Sequence, residues 1–223
     1  MAMNNAESII FIINDQFYTF SNKDASLNLS GSLSEFKNSA NENTIAYIDA
    51  IHFNIIPEFL FNETKIDSYL SLTTEKIDSI TPVTNKIPQL NSVLLWTLEE
   101  SIKKKLILKN PGITFHHLSE LFLNEPIGQN LHPEIKLRLS ENIIYILCYK
   151  KGKLQIANRF NISGPEDIIY YTLLCAEHCH LNKENTLLNI KGVYKGKLIE
   201  QLNKYFNTKN IYTTTDQSIK SFI

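Results

Sequence analysis
Arginine is nearly missing from this chain: Arg138 and Arg159 are the two present in 223 residues. Bidentate grips on phosphate or guanine are therefore poorly supplied. No surplus of lysine compensates, since the formal net charge is −1, which argues against a nucleic-acid binder driven by phosphate contacts. Lys103-Lys-Lys105 and Lys150-Lys151 read as a solvated helix face and a turn. Seven glycines leave no Walker-type loop in the sequence. Three cysteines do not make a disulfide framework. No apolar run approaches the length of a membrane span. Ile9 to Ile13 is far too short, and no basic region precedes it, so no signal peptide is expected. These absences predict a cytoplasmic protein with no membrane insertion and no nucleic-acid partner.

What is present is an ordinary globular composition, 43% hydrophobic and 20% charged. The length suits one large domain or two small lobes. The most legible stretch runs from Glu141 to Tyr212. Asn142-Ile-Ile-Tyr-Ile-Leu-Cys-Tyr149 is a β-branched and aromatic run suited to a strand covered on both faces. Lys150-Lys-Gly152 is turn chemistry, and Leu154, Ile156 and Phe160 alternate as a return strand. Ser163-Gly-Pro-Glu166 predicts a capped helix start, with Glu166 reaching back toward Ser163. From Ile168 to Ala176 that helix is apolar almost all round, which predicts a sandwiched element. A strand at 186–190, an amphipathic helix at 197–206 and a last strand at 210–213 follow.

The N-terminal part reads similarly. Residues 8–13 and 17–20 form a hairpin about Asn14-Asp15-Gln16, and a third strand is expected at 25–29. Ser32-Leu-Ser-Glu35 resembles another capping box, opening a short helix. A strand at 44–51, a brief helix at 56–61 and another from Asp67 follow. No residue-level identity links the two ends, but the shared pattern predicts a duplicated architecture. In the middle, 77–90 reads as extended chain with Pro82 and Pro88. Residues 93–108 read as a helix with Leu94, Leu98 and Ile102 on one stripe. Residues 113–118 read as a strand. The expected division is a first lobe at 1–75, a connecting strand and helix at 76–110, and a second lobe at 111–223.

Two clusters carry possible chemistry. Cys175, His178, Cys179 and His180 lie within six residues, and Cys175 and Cys179 share a helix face. Sulfur and imidazole could ligate zinc, but a tetrahedral site draws on a second segment. Packing cysteines and helix-end histidines are the favoured reading, so no metal site is expected. His116-His117 could hold a base, yet neighbours on a strand face opposite ways and no nucleophile elbow is present. No catalytic residue is assigned. Tyr170, Tyr171 and Trp96 read as packing.

Several stretches together carry a family resemblance: Ile55-Ile-Pro-Glu-Phe-Leu-Phe61, Phe115-His-His117, Leu154-Gln-Ile-Ala-Asn-Arg-Phe160, Glu166-Asp-Ile-Ile-Tyr-Tyr171 and Leu187-Leu-Asn-Ile-Lys-Gly192. They resemble an uncharacterised bacterial family, a domain of unknown function. That family in turn is similar to the actin-like ATPase superfamily, including the cytoplasmic actin-like proteins of pilus assembly and type II secretion. The resemblance implies an α/β fold with mixed sheets, in a two-lobed, ribonuclease H-like duplicated architecture. It implies no established activity. The superfamily's phosphate hairpins carry an Asp-x-Gly type turn whose N–H groups cradle phosphate while the Asp organises the metal. On this comparison the nucleotide-site positions are Asp15, Gly152 and Gly192. Asn14-Asp15-Gln16 has no glycine, and Tyr149-Lys-Lys-Gly152 has no acid. The strand-to-helix turn Lys191-Gly-Val-Tyr-Lys-Gly196 keeps two glycines that are not adjacent. The expectation is a non-catalytic interaction or scaffolding module with a degenerate nucleotide site and no resident cofactor. Its partner would be an unknown protein or a second copy. The alternative is a divergent nucleotide-binding ATPase or phosphotransferase.

Overall fold
The computed structural model describes residues 8–21, 27–36, 44–73, 79–127, 132–140, 142–192, 194, 197–207 and 210–214. The chain divides into two compact units, Met1–Asn124 and Glu125–Ile223.

The first unit is built on strand β1 (Ser8–Ile13), every residue of which is buried. An unbroken apolar run of this kind forms a central strand because both of its faces are covered. Antiparallel β2 (Gln16–Ser21) and β3 (Leu27–Ser32) extend the sheet on one side. On the other side, β4 (Thr44–Ile48) and then β8 (Thr114–His117) run parallel to β1. The order is β3-β2-β1-β4-β8. Ser32 caps a single 3₁₀ turn at Leu33–Glu35, with its hydroxyl accepting the Ser34 amide. The expected helix is present there as that turn, and the rest of its span lies outside the described residues.

Between β4 and β8 the first unit carries a second sheet. It comprises β5 (Phe53–Pro57), β6 (Ile80–Ile87) and β7 (Ser92–Glu99), with β7 in the centre. Helix α1 (Ile66–Leu70) lies between β5 and β6, and α2 (Glu100–Lys109) follows β7. Two expectations are corrected here. Residues 56–61 are the end of β5 and a 3₁₀ turn at Glu58–Leu60, not a helix. Residues 93–108, expected as one helix, are β7 and then α2. Val93 to Trp96 are buried on both faces of a central strand, so their apolar run is continuous, and a short continuous run carries no period to separate strand from helix. The segment expected as a connection at 76–110 thus supplies most of this sheet. Residues 114–117, expected in the second lobe, pair with β4 in the first unit.

The second unit repeats the plan. Its first strand is β9 (Glu134–Leu139), followed by antiparallel β10 (Ile143–Lys150) and β11 (Lys153–Asn161). Then β12 (Leu187–Gly192) and β13 (Ile211–Thr214) add in parallel, giving the order β11-β10-β9-β12-β13. Numbered within each sheet, both five-stranded sheets run 3-2-1-4-5 with the same strand directions. Helix α4 (Pro165–His178) packs on β10, and α5 (Leu198–Leu202) packs on α4. The core between them holds Ile135, Leu137, Ile144, Ile146, Leu188 and Leu198, among others. Helix α3 (Ser119–Leu123) closes the first unit's chain.

The α4 start differs in detail from the sequence reading. Its N-cap is Gly164, and Asp167 rather than Glu166 reaches back, accepting the Ser163 amide at 2.7 Å. The helix is not sandwiched all round. Ile168, Thr172, Cys175 and Ala176 are buried, while Tyr170 is 60% and Leu174 42% exposed.

Gly192 ends β12 at φ +113°, opposite Leu139 at the end of β9. A Cβ placed there would overlap the Leu139 carbonyl oxygen and crowd its backbone. Strain and overlap act together, so Gly192→Ala should cost about 3 kcal/mol or more. Urea unfolding that shows the variant within about 0.5 kcal/mol of wild type, the usual range for neutral surface changes, would refute this packing account.

Candidate functional site
Ligands of α/β sheets gather at the carboxyl ends of parallel strands, where loops leave the sheet and backbone N–H groups face outward. In the first unit that edge carries the β1–β2 turn, Asp49 after β4, and His117 at the end of β8. Asn14 and Asp15 form a two-residue hairpin loop, closed by the Ile13–Gln16 pair. Both sit at left-handed φ, 48° and 59°. This type I′ geometry matches the strand twist, and Asn and Asp tolerate it better than other side chains. Asp15 is exposed, and its carbonyl accepts the Leu33 amide at 2.8 Å. The Asp49 amide donates to Ile12 O at 2.9 Å, placing Asp49 beside the end of β1. Asp49 escaped the sequence reading. Its signal was an acid directly after a buried strand of β-branched and aromatic residues.

His117 is fully buried and satisfied. Its Nδ1 accepts the Ser119 amide at 3.1 Å and lies 2.7 Å from the Ser119 hydroxyl. Nε2 therefore carries the proton and donates to Ala50 O at 2.9 Å. Phe53 and Trp96 pack on the ring, at 4.7 and 5.5 Å between centroids. The Trp96 indole in turn donates to Asn85, whose amide donates to Phe115 O. The ring is a neutral clamp between the two sheets of this unit. His116 faces the other way, as alternation requires. It pairs with Glu120 at 2.8 Å and contacts Tyr47, whose hydroxyl is pushed well above its usual range by burial and then by Glu120.

In the second unit the structure separates the expected site residues. Gly152 lies in the β10–β11 turn with Lys151, both left-handed and exposed. That turn joins the second and third strands of its sheet. The counterpart of Asn14-Asp15 is instead the β9–β10 turn, spanning Ser140 to Asn142, where the Ser140 amide donates to Ile143 O. The correction follows from β9, a strand the sequence reading left unassigned. Glu141 and Gly196 lie outside the described residues. Gly192 is at the carboxyl edge, but its glycine is already required by Leu139. Asp15 and Gly152 thus sit in the same kind of two-residue left-handed hairpin turn at non-equivalent places in their sheets, and Gly192 ends a strand. Cys175 and Cys179 are buried while His178 and His180 are exposed. Among the described residues no group of three or more His, Cys, Asp and Glu is placed to hold a metal.

Sequence reasoning also missed a buried charge cluster on the far face of the second sheet. Alternation along β9 puts Ile135, Leu137 and Leu139 in the core and Lys136 and Arg138 on the opposite face, both buried. Arg138 donates to both Glu125 carboxylate oxygens, and to Leu137 O and Asn189. Lys136 donates to Pro126 O at 3.0 Å and lies over the Tyr149 ring. Lys191 reaches Glu125 at 3.1 Å. Burial opposes ionisation of Glu125, but the Arg138 hydrogen bond and the three cationic charges outweigh it. They hold the carboxyl below its usual range. The other arginine, Arg159, is buried on the same face. Among the described residues, a cavity of about 320 Å³ lies elsewhere, lined by Glu58, Phe61, Thr84, Asn85, Lys86 and others.

The comparisons with known proteins agree with this fold. Residues 4–208 match the model of a family described as "Protein of unknown function (DUF3822)", and the chain belongs to that family. No curated protein matches. Among solved structures, it is similar to a Bacteroides thetaiotaomicron protein described as having an actin-like ATPase fold and unknown function. The TM-score is 0.80 at 17% identity, covering 96% of this chain and 93% of that one. The fold is therefore α/β with mixed sheets, of the actin-like class, as the sequence resemblance implied. Among the described residues no helix is long and apolar enough to cross a membrane.

Glu125→Gln would leave buried cations without their carboxylate, at a cost of about 3 to 5 kcal/mol. A folded-state pKa below the unfolded one means that the carboxylate's contribution is complete above about pH 4.3 and lost as pH falls through the folded value. Chemical unfolding from pH 7 to pH 3 should therefore show wild type converging on the variant under acid. Parallel curves at all pH values would refute it.

Proposed function
We propose that the protein is a non-catalytic interaction module of the actin-like class, working in the cytoplasm on a protein partner. The observation that carries this reading is the apolar tip after β5. Phe59 is 85% and Leu60 57% exposed on a single 3₁₀ turn. The tip is held, not loose: the Tyr69 hydroxyl donates to Leu60 O at 2.8 Å, and Phe61 stacks on Tyr69. A structured turn that presents two adjacent large apolar side chains to water is the anatomy of an interaction anchor. The cavity by Glu58, Phe61 and Lys86 lies beside it. The turn chemistry supports the same reading, because Asn14-Asp15 lacks the glycine of a phosphate cradle.

A divergent nucleotide-binding ATPase is the second reading. It rests on Asp15 and Asp49, two acids at the adjoining carboxyl ends of β1 and β4.

Phe59→Asp with Leu60→Asp should fold like wild type, since both side chains stand in solvent, and should abolish capture of partner proteins from native extract. Equal capture by wild type and variant would refute the tip. Magnesium-dependent phosphate release from ATP by wild type, lost in Asp15→Asn, would move the assignment to the second reading.

A further inference from the structure
Strand β11 is the edge of its sheet: among the described residues it pairs with β10 alone. A nine-residue edge strand is a template for pairing with another strand. The Arg159 amide on it donates to the exposed Asn158 side chain at 2.9 Å, so a main-chain donor of β11 is capped by a side chain. Helix α4 runs back alongside this strand. The Ser163-Gly164 turn joins the two at one end. At the other end Lys150, beside the β10–β11 turn, donates to the carbonyls of Cys179 and His180 at 3.2 and 3.1 Å. The middle of β11, at Ala157, therefore lies level with the middle of α4, near Thr172. Tyr171 stacks on Phe160 of β11 at 4.1 Å, Tyr170 packs edge-on against Tyr171, and Leu174 follows one turn later. Tyr170 and Leu174 are exposed. Charge is divided along this ridge. Lys150, Lys151 and Lys153 gather at the hairpin end, where Glu177 is the nearby acid, and Glu166 and Asp167 mark the opposite end.

We propose that β11 and α4 form the interface of a symmetric dimer, in which β11 pairs antiparallel with β11 of a second copy and joins the two five-stranded sheets into one. A two-fold axis at Ala157 sets the lysine end of each copy against the Glu166–Asp167 end of the other. The ridge is thus complementary to itself, whereas parallel pairing would bring like ends together. The same axis places both α4 helices on one face, antiparallel, over β10 and its copy. Three strand spacings separate them, about 14 Å. Helices in direct contact lie about 8 to 10 Å apart, so the gap calls for large side chains. Tyr170, Tyr171 and Leu174 are the side chains that stand there. A uniformly acidic partner would be repelled at Glu166 and Asp167, and a uniformly basic one at the lysines; a second copy answers both ends. The Phe59–Leu60 tip takes no part in this interface.

Sedimentation equilibrium of the full chain at micromolar concentration should give twice the chain mass. Tyr170→Glu with Leu174→Glu should fold like wild type, since both side chains are exposed, and should run as a monomer. Lys151→Glu with Lys153→Glu should weaken the dimer by about tenfold or more, and Phe59→Asp with Leu60→Asp should leave it intact. Ala157→Cys should form a disulfide to its own copy in the second chain under mild oxidation, because residues directly opposed on paired antiparallel strands have Cα atoms about 5 Å apart, within disulfide range. A wild type that stays monomeric, a dimer that survives Tyr170→Glu with Leu174→Glu, a dimer lost instead in the tip variant, or a dimer in which Ala157→Cys forms no bond between chains would each overturn the proposal. The wild-type mass decides the matter even where a variant fails to fold.

Discussion
A single carboxylate holds the second unit together electrically. Glu125 faces Arg138, Lys136 and Lys191, and the first two are shut away from water. Burying a guanidinium and an ammonium is costly unless each is paired and its N–H groups are used. Arg138 uses its donors on Glu125, Leu137 and Asn189, and Lys136 uses its own on Glu125 and Pro126. These contacts tie the start of the unit to its first and fourth strands. Their effect is specificity of register more than net stability. Sliding β9 by one residue would turn Lys136 and Arg138 into the apolar core and Ile135 and Leu137 out of it. The first unit solves the same problem without charge, since its first strand is apolar from Ile9 to Ile13.

The shared strand order gives each turn a counterpart in the other unit. The β1–β2 turn corresponds to β9–β10, and the end of β4 corresponds to the end of β12. At the latter positions the two units differ. Asp49 follows β4, where the backbone closes onto Ile12. Gly192 ends β12, where the approach to Leu139 admits no side chain. The first unit has also taken in a three-stranded sheet between its fourth and fifth strands, and His117 is the neutral clamp that fastens it. The apolar tip belongs to this insertion, so the surface that differs most between the units is the one that offers an interaction anchor.

Much of this was legible in the sequence because elements with a clear period or a strong punctuation mark declare themselves. The 8–20 and 143–161 hairpins, α4 and the closing strand are such cases, while the actin-like reading came from the family resemblance of stretches such as 154–160 and 166–171. β9 was lost because Glu134-Ile-Lys-Leu-Arg-Leu139 puts two cations where a buried strand should be apolar, and their partner Glu125 is remote along the sequence. Without β9, the second unit's strands were counted from β10, and Gly152 was matched to Asp15. β7 was lost for the opposite reason, an excess of apolar residues that removes any period. The opposite faces of His116 and His117 were readable from alternation. The aromatic and hydrogen-bond partners of His117 were not, because they come from an insertion whose pairing is set by tertiary contact.

The function proposed for this actin-like fold works through its surface and not through nucleotide. Thermal unfolding of the purified protein with and without ATP and magnesium tests it most directly. A ligand bound only by the native state adds RT ln(1 + [L]/Kd), about 2.7 kcal/mol at a hundredfold excess over Kd. The account predicts midpoints that coincide at every nucleotide concentration up to the millimolar range. A saturable rise in the midpoint that disappears in Asp15→Asn would contradict it.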